Sequence, residues 1–156
     1  MKTIQNWLDE YGESHQNPTN KKVHWICVPS IFFSVVGLLA SIPTPEVFGS
    51  FSFPLNWAVM ALSLVFVYYM TLSFSLSVGM LLFGLFCLYV CHWISMHVPF
   101  PLWAICLIVF SVAWVGQFWG HKVEGKKPSF FKDLQFLMIG PAWLMSFIYK
   151  RIGLKY

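Results

Sequence analysis

The sequence predicts an all-α integral membrane protein: four transmembrane helices in hairpins, an N-terminal amphipathic helix, and a C-terminal broken or fifth helix. Two observations predict it. Of 156 residues, 58% are hydrophobic and only 10% charged, against about 25% charged in a soluble domain. A chain this short has too much surface per volume to hide so much apolar area from water. The second observation is that no lysine or arginine lies between Val23 and His121; the basic residues flank apolar runs, as membrane orientation signals do. A nucleic-acid-binding fold spreads its basic residues over one surface, so nucleic acid is excluded and membrane lipids are the expected surroundings. The length suits one membrane domain, residues 1–156.

Residues 3–13 place Ile4, Trp7, Leu8 and Tyr11 at helical spacing, with Asp9 and Glu10 facing elsewhere. Trp7 and Tyr11 suit a membrane interface, and Gly12 ends the helix. The polar start of the chain reads as neither a signal peptide nor an apolar leader. Asn17-Pro18 is turn chemistry, and Asn20 is placed to cap a helix beginning at Lys21. A first span then covers about residues 23–40, near the ~20 residues a bilayer requires, with Pro29 accommodated by a kink. Pro43, Pro45, Gly49 and Pro54 mark a loop. The almost wholly apolar run 55–96 makes two spans, with a turn in the serine-rich stretch Thr71–Ser77. His97-Val98-Pro99-Phe100-Pro101 is the next turn, and the fourth span runs to about Trp119.

The segment 121–133 is polar and basic; 134–149 is apolar again, interrupted by Gly140-Pro141. It is either a fifth crossing or a broken interfacial segment. Lys21 and Lys22 put the start of the first span in the cytoplasm, and four crossings return the chain there at Lys122, Lys126, Lys127 and Lys132. A fifth crossing would send Lys150, Arg151 and Lys155 outside, against the positive-inside rule. Four crossings with both termini cytoplasmic is therefore preferred.

This topology sorts the histidines. His15, His24 and His121 fall at the lysine-rich face, whereas His97 lies in the opposite loop and His92 near it. Pro18 excludes one continuous helix through His15 and His24, but a turn can fold His15 back over the start of the first span. Otherwise His15 is a surface histidine and His24 an interfacial one. On α-helical spacing, Gln117, His121 and Glu124 share one stripe. The stripe is otherwise a frayed helix end with a solvated Glu124. Gly116 and Gly120 form a small-x3-small pair suited to helix packing. Three histidines with a carboxylate available match iron, which suits oxygen chemistry, or zinc, which suits hydrolysis. Cys27, Cys87, Cys91 and Cys106 sit in apolar runs as core thiols; Cys87 and Cys91, four apart, also allow a metal site.

His15-x-Asn17-Pro18-x-Asn20-x3-His24 before an apolar span, then Gln117-Phe118-x-Gly120-His121, Lys126-Lys127-Pro128, Asp133 and Pro141, resemble the family of the yeast 2-hydroxy fatty acid dioxygenase, over nearly the whole chain. That resemblance implies an iron(II)-dependent alpha-oxidation, in which a 2-hydroxy fatty acid loses one carbon with dioxygen. It implies His15, His24 and His121 as the ligands of Fe(2+). One departure stands out: the yeast-type pattern has a glutamate four residues after the last histidine, where Glu124 here follows His121 by three. The compact chain reads as a bacterial-type member of the inner membrane; a eukaryotic member belongs in the endoplasmic reticulum.

On this reading His15, His24, His121 and Glu124 are the catalytic set. Asn20 and Gln117 orient ligands, Asn20 being otherwise only a helix cap, and Lys122 and Lys126 attract the substrate carboxylate. The acyl tail lies between the spans, lined from the chain's 16 Phe and 8 Trp. Two other readings use the same residues: another metal-dependent lipid hydroxylase or hydrolase, and a non-enzymatic lipid-binding membrane protein.

Overall fold

The structure, a computed structural model, describes residues 3–50, 55–125 and 136–156. Among them it is all-helical: α1 (Ile4–Gly12), α2 (Pro18–Ala40), a 3-10 turn (Glu46–Ser50), α3 (Trp57–Leu72), α4 (Phe74–His97), α5 (Leu102–Glu124) and α6 (Ile139–Ile152). Lys126, Lys127, Lys132 and Asp133, singled out in the sequence, lie outside the described residues.

Local chemistry fixes most boundaries. Thr3 caps α1 by accepting from the Asn6 N–H. Asn17, not Asn20, caps α2: its Oδ1 accepts from the Thr19 N–H at 2.8 Å. Pro18 follows in the first turn, where its missing N–H goes unneeded and its fixed φ is already helical. The expected cap at Asn20 is thereby corrected, and Asn20 goes into the interior instead. Pro29 is carried inside α2 without ending it.

The apolar run after residue 55 breaks at Ser73, inside the serine-rich stretch where the sequence puts a turn. Ser73 is extended (φ −162°, ψ 117°); its N–H closes α3 on the Tyr69 carbonyl and its hydroxyl caps α4 by accepting from the Leu76 N–H. Gly125, in the left-handed region at φ 75°, ends α5. Only a residue without Cβ adopts that conformation at no steric cost.

Among the described residues three helices are long and apolar enough to cross a membrane: α2, α4 and α5. The fourth expected span falls at α3, which is apolar but has 16 residues, about 24 Å at 1.5 Å per residue against a ~30 Å hydrocarbon core. In the C-terminal segment α6 has 14 residues. Gly140-Pro141 falls in its first turn, so it opens this helix rather than interrupting it.

At the centre, α2 packs along α5 and also touches α3, α4 and α6. The Gly116 and Gly120 pair makes the α2–α5 approach close. A Cβ on Gly116 would stand 2.6 Å from Cys27 Sγ, and one on Gly120 would stand 2.5 Å from Asn20 Oδ1. Outward-facing Leu64, Leu82, Phe86, Val112 and Val115 are exposed, a continuous apolar exterior that a water-soluble monomer rarely shows.

The segment α6 covers the end of the bundle where α2 begins and α5 finishes, packing on α1, α2 and α4. Two tyrosines tie it there. Tyr69 OH donates to the Met138 carbonyl, and Tyr149 OH donates to the Ser75 carbonyl at 2.8 Å. Helix α1 buries Ile4, Leu8 and Tyr11, with Trp7 and Tyr11 both edge-on to Phe136. Tyr11 is thus an interior residue, in place of the interfacial anchor its composition suggests.

Candidate metal centre

Three imidazoles meet under α1 and α6. His15 lies in the turn between α1 and α2, His24 in the second turn of α2, and His121 in the last turn of α5. All three are buried. Their ring centroids are 4.2 Å apart for His15–His24, 5.1 Å for His24–His121 and 5.4 Å for His15–His121. One nitrogen from each lies within 4.8 Å of the others. An ion held at ~2.1 Å from each nitrogen draws together groups already this close.

Which nitrogens face inward follows from hydrogen bonding. His15 Nδ1 is 2.6 Å from the Tyr11 carbonyl, and His24 Nδ1 is 3.0 Å from the Asn20 carbonyl. A carbonyl oxygen only accepts, so both Nδ1 atoms carry the proton, leaving Nε2 as the ligand atom. Backbone carbonyls commonly fix metal-binding histidines this way. Tyr11 also stacks on His15, centroids 4.2 Å apart and planes 15° from parallel, and Trp143 of α6 stands 5.4 Å from the same ring. These two aromatics hold His15, the one imidazole of the three not on a long helix.

Glu124 is placed differently. Among the described residues it is not in the group that can share an ion. Its carboxylate instead receives the N–H of Gln16 at 2.8 Å, the N–H of Asn17 at 2.9 Å and the side-chain amide of Asn20 at 2.9 Å. Charged acceptors make the stronger hydrogen bonds. Here three of them staple the His15 turn and the α2 cap to the end of α5. Asn20, wholly buried, gives its other amide hydrogen to the Ser14 carbonyl at 3.3 Å, while its Oδ1 lies over Gly120. Gln117, one turn before His121, is buried within hydrogen-bonding reach of His24. Lys122 is exposed on the same last turn.

The histidines therefore gather as the charge pattern sorts them. His97 is exposed at the far end of α4, stacked on Trp93, and His92 is exposed beside it. All four cysteines are free, buried thiols away from the imidazoles. Sequence reasoning missed the parts played by Tyr11 and Trp143. For Tyr11 a signal existed in its position four residues before His15, where a carbonyl can reach an imidazole; for Trp143, in an apolar helix following a Gly-Pro step, none did.

Beside the imidazoles a cavity of about 370 Å³, its open mouth included, is lined by His24, Gln117 and His121 on one side and by Val28, Ile31 and Leu137 on another. A few convergent polar groups at the end of an apolar cleft is the usual build of a small-molecule site.

The chain is 29% identical over 150 residues to the 2-hydroxy-palmitic acid dioxygenase MPO1 of Saccharomyces cerevisiae, covering 94% of this chain and 80% of the yeast protein. No solved structure matches. Residues 1–152 match the family described as 2-hydroxy-palmitic acid dioxygenase Mpo1-like, and the chain belongs to that Mpo1-like family.

Proposed function

We propose that this protein is an iron(II)-dependent dioxygenase that shortens 2-hydroxy fatty acids by one carbon at the cytoplasmic face of a membrane, the inner membrane of a bacterium. The observation that carries the reading is the convergence of three buried imidazole nitrogens beside an apolar cleft. The donor set fits a ferrous ion: three neutral nitrogens, two of them fixed by backbone carbonyls, leave coordination positions open. His15, His24 and His121 would hold it. When bound, ferrous iron supplies the activation of dioxygen and a Lewis-acidic seat for the substrate carboxylate and 2-hydroxyl.

The chain's own residues do the rest. Glu124, through Asn17 and Asn20, keeps His15 and His24 in register with His121. Gln117 orients His24. Lys122, exposed on the last turn of α5, draws an anionic head toward this end of the bundle. Trp143 and Tyr11 exclude water from the His15 side. The overall conversion balances without an outside reductant. A 2-hydroxy acid and dioxygen give the acid one carbon shorter, carbon dioxide and water, the substrate supplying all four electrons.

Oxygen uptake by iron-loaded protein, with product analysis by mass spectrometry, tests the reading. One dioxygen consumed per shortened acid is expected. A hydroxylated or hydrolysed product, or equal activity with zinc, would replace this reading with the hydroxylase or hydrolase one. Lipid that copurifies with metal-free, metal-refusing protein would replace it with simple lipid binding.

A further inference from the structure

Leu137 lines both the cleft at the imidazoles and a second, almost purely apolar groove of about 430 Å³, its open side included, between α2 and α3, lined on α2 by Val35 and Leu39 and on α3 by Ala58, Ala61 and Leu62. On α2, His24, Val28, Ile31, Val35 and Leu39, which line the two spaces together with Phe32 and Val36, recur every three or four positions. They therefore form one stripe on one helix face. The stripe runs fifteen residues from His24 to Leu39, about 22 Å along the helix axis. An all-trans hydrocarbon advances about 1.25 Å per carbon, from a bond of ~1.52 Å and an angle of ~111°. The track thus measures about sixteen to eighteen carbons.

We infer that this track holds the acyl tail of the substrate, carboxyl end at the imidazoles and methyl end between Leu39 and Ala58, and that the small side chains of Ala58 and Ala61 set the chain length accepted. The inference rests on the proposed function for the head of the substrate, and on the succession of the two spaces along one face of α2 for its tail. Ala58 is fully buried and Ala61 half-buried. α3 runs antiparallel to α2, which sets these two alanines at the end of the track away from the imidazoles. A larger side chain at Ala61 fills the track about one helical turn before its end.

Two measurements on the full-length protein in lipid nanodiscs test this. The first requires no turnover: a 2-hydroxy acid of about sixteen carbons with a photoreactive group at its methyl end is bound to metal-free protein, irradiated and mapped by mass spectrometry. Adducts at Leu39 or within Ala58–Leu62 are expected. Adducts on Phe66 and Leu85 in the α3–α4 crevice, or on outward-facing Val112, are what bulk lipid would give and would overturn the placement. In the second, Ala61→Phe is expected to lower kcat/KM at least about tenfold for the longest chains and less than about twofold for chains some six carbons shorter. Leu64→Phe, on the exposed side of the same helix, should leave the profile unchanged. Equal loss at every length in Ala61→Phe, or none at any length, would overturn the ruler. Labelling in the track by a protein that never consumes dioxygen would uphold this placement while removing the dioxygenase reading; turnover with labels elsewhere would do the reverse.

Discussion

Glu124 and Asn17, 107 positions apart, are joined by the Asn17 N–H, which stands 2.9 Å from one carboxylate oxygen and 3.2 Å from the other. Asn17 is the cap of α2 and Glu124 the last residue of α5. This contact therefore closes the ring of chain that carries His24 and His121, and His15 stands two residues before the closure. A glutamate that resembles a metal ligand by its place after His121 acts here on the backbone that holds the other two histidines.

If Glu124 positions rather than ligates, Glu124→Gln should weaken metal binding about 10–100-fold without changing the ligand field. An amide retains one acceptor oxygen but turns its NH2 toward an N–H. Cobalt(II) titration reads both quantities at once: the midpoint should shift while the visible spectrum keeps its shape. An altered spectrum at saturation would make Glu124 a ligand.

Gly120→Ala should also loosen the site. In a helix interior this change ordinarily gains about 1 kcal/mol, but here the new Cβ would lie 2.5 Å from the buried Asn20 Oδ1. Asn20 must then move, and it holds both Glu124 and the Ser14 carbonyl. The expected result is at least a tenfold loss of metal affinity with helix content by circular dichroism unchanged. Gly116→Ala, which meets Cys27 instead, should cost stability and leave the affinity closer to the parent value.

Tyr69→Phe separates fold from site. Tyr69 is fully buried and donates to the Met138 carbonyl at the approach to α6. Removing the hydroxyl strands that carbonyl and should cost about 1–3 kcal/mol, seen as a lower Tm in detergent. Iron per folded chain should not change, because Tyr69 does not line the imidazole cavity.

Loosening of the cover is the fourth expectation. Trp143→Ala removes a ring 5.4 Å from His15 and 5.3 Å from Tyr11 and opens the His15 side to water. Loss of metal to a chelator should become at least several-fold faster, as stopped-flow mixing would show. An unchanged off-rate would mean that α6 does not guard the site.

Much of this was legible in the sequence for a simple reason: lipid removes alternatives. A stretch without lysine or arginine from Val23 to Trp119 leaves few places for turns, and lysine bias then assigns the faces, so the three histidines sort together before any contact is known. Span counting says least where length is marginal: α3 has 16 residues and α6 has 14, and composition alone does not separate a short crossing from a helix that lies along the bundle. Asn20 was misread because the asparagine nearest the lysines looks like the cap, whereas Asn17 before Pro18 has the better geometry. The role of Glu124 was not readable at all. It depends on two backbone N–H groups, of Gln16 and Asn17, that no side-chain pattern encodes.

The central claim is that residues from three separate elements form a single metal site. Iron per chain, measured after anaerobic loading with ferrous ion and desalting, tests it most directly in the parent protein and in His15→Ala, His24→Ala and His121→Ala. The account predicts one iron per parent chain and none retained by any of the three folded variants. A full iron complement in any one of them, held as tightly as in the parent, would contradict it.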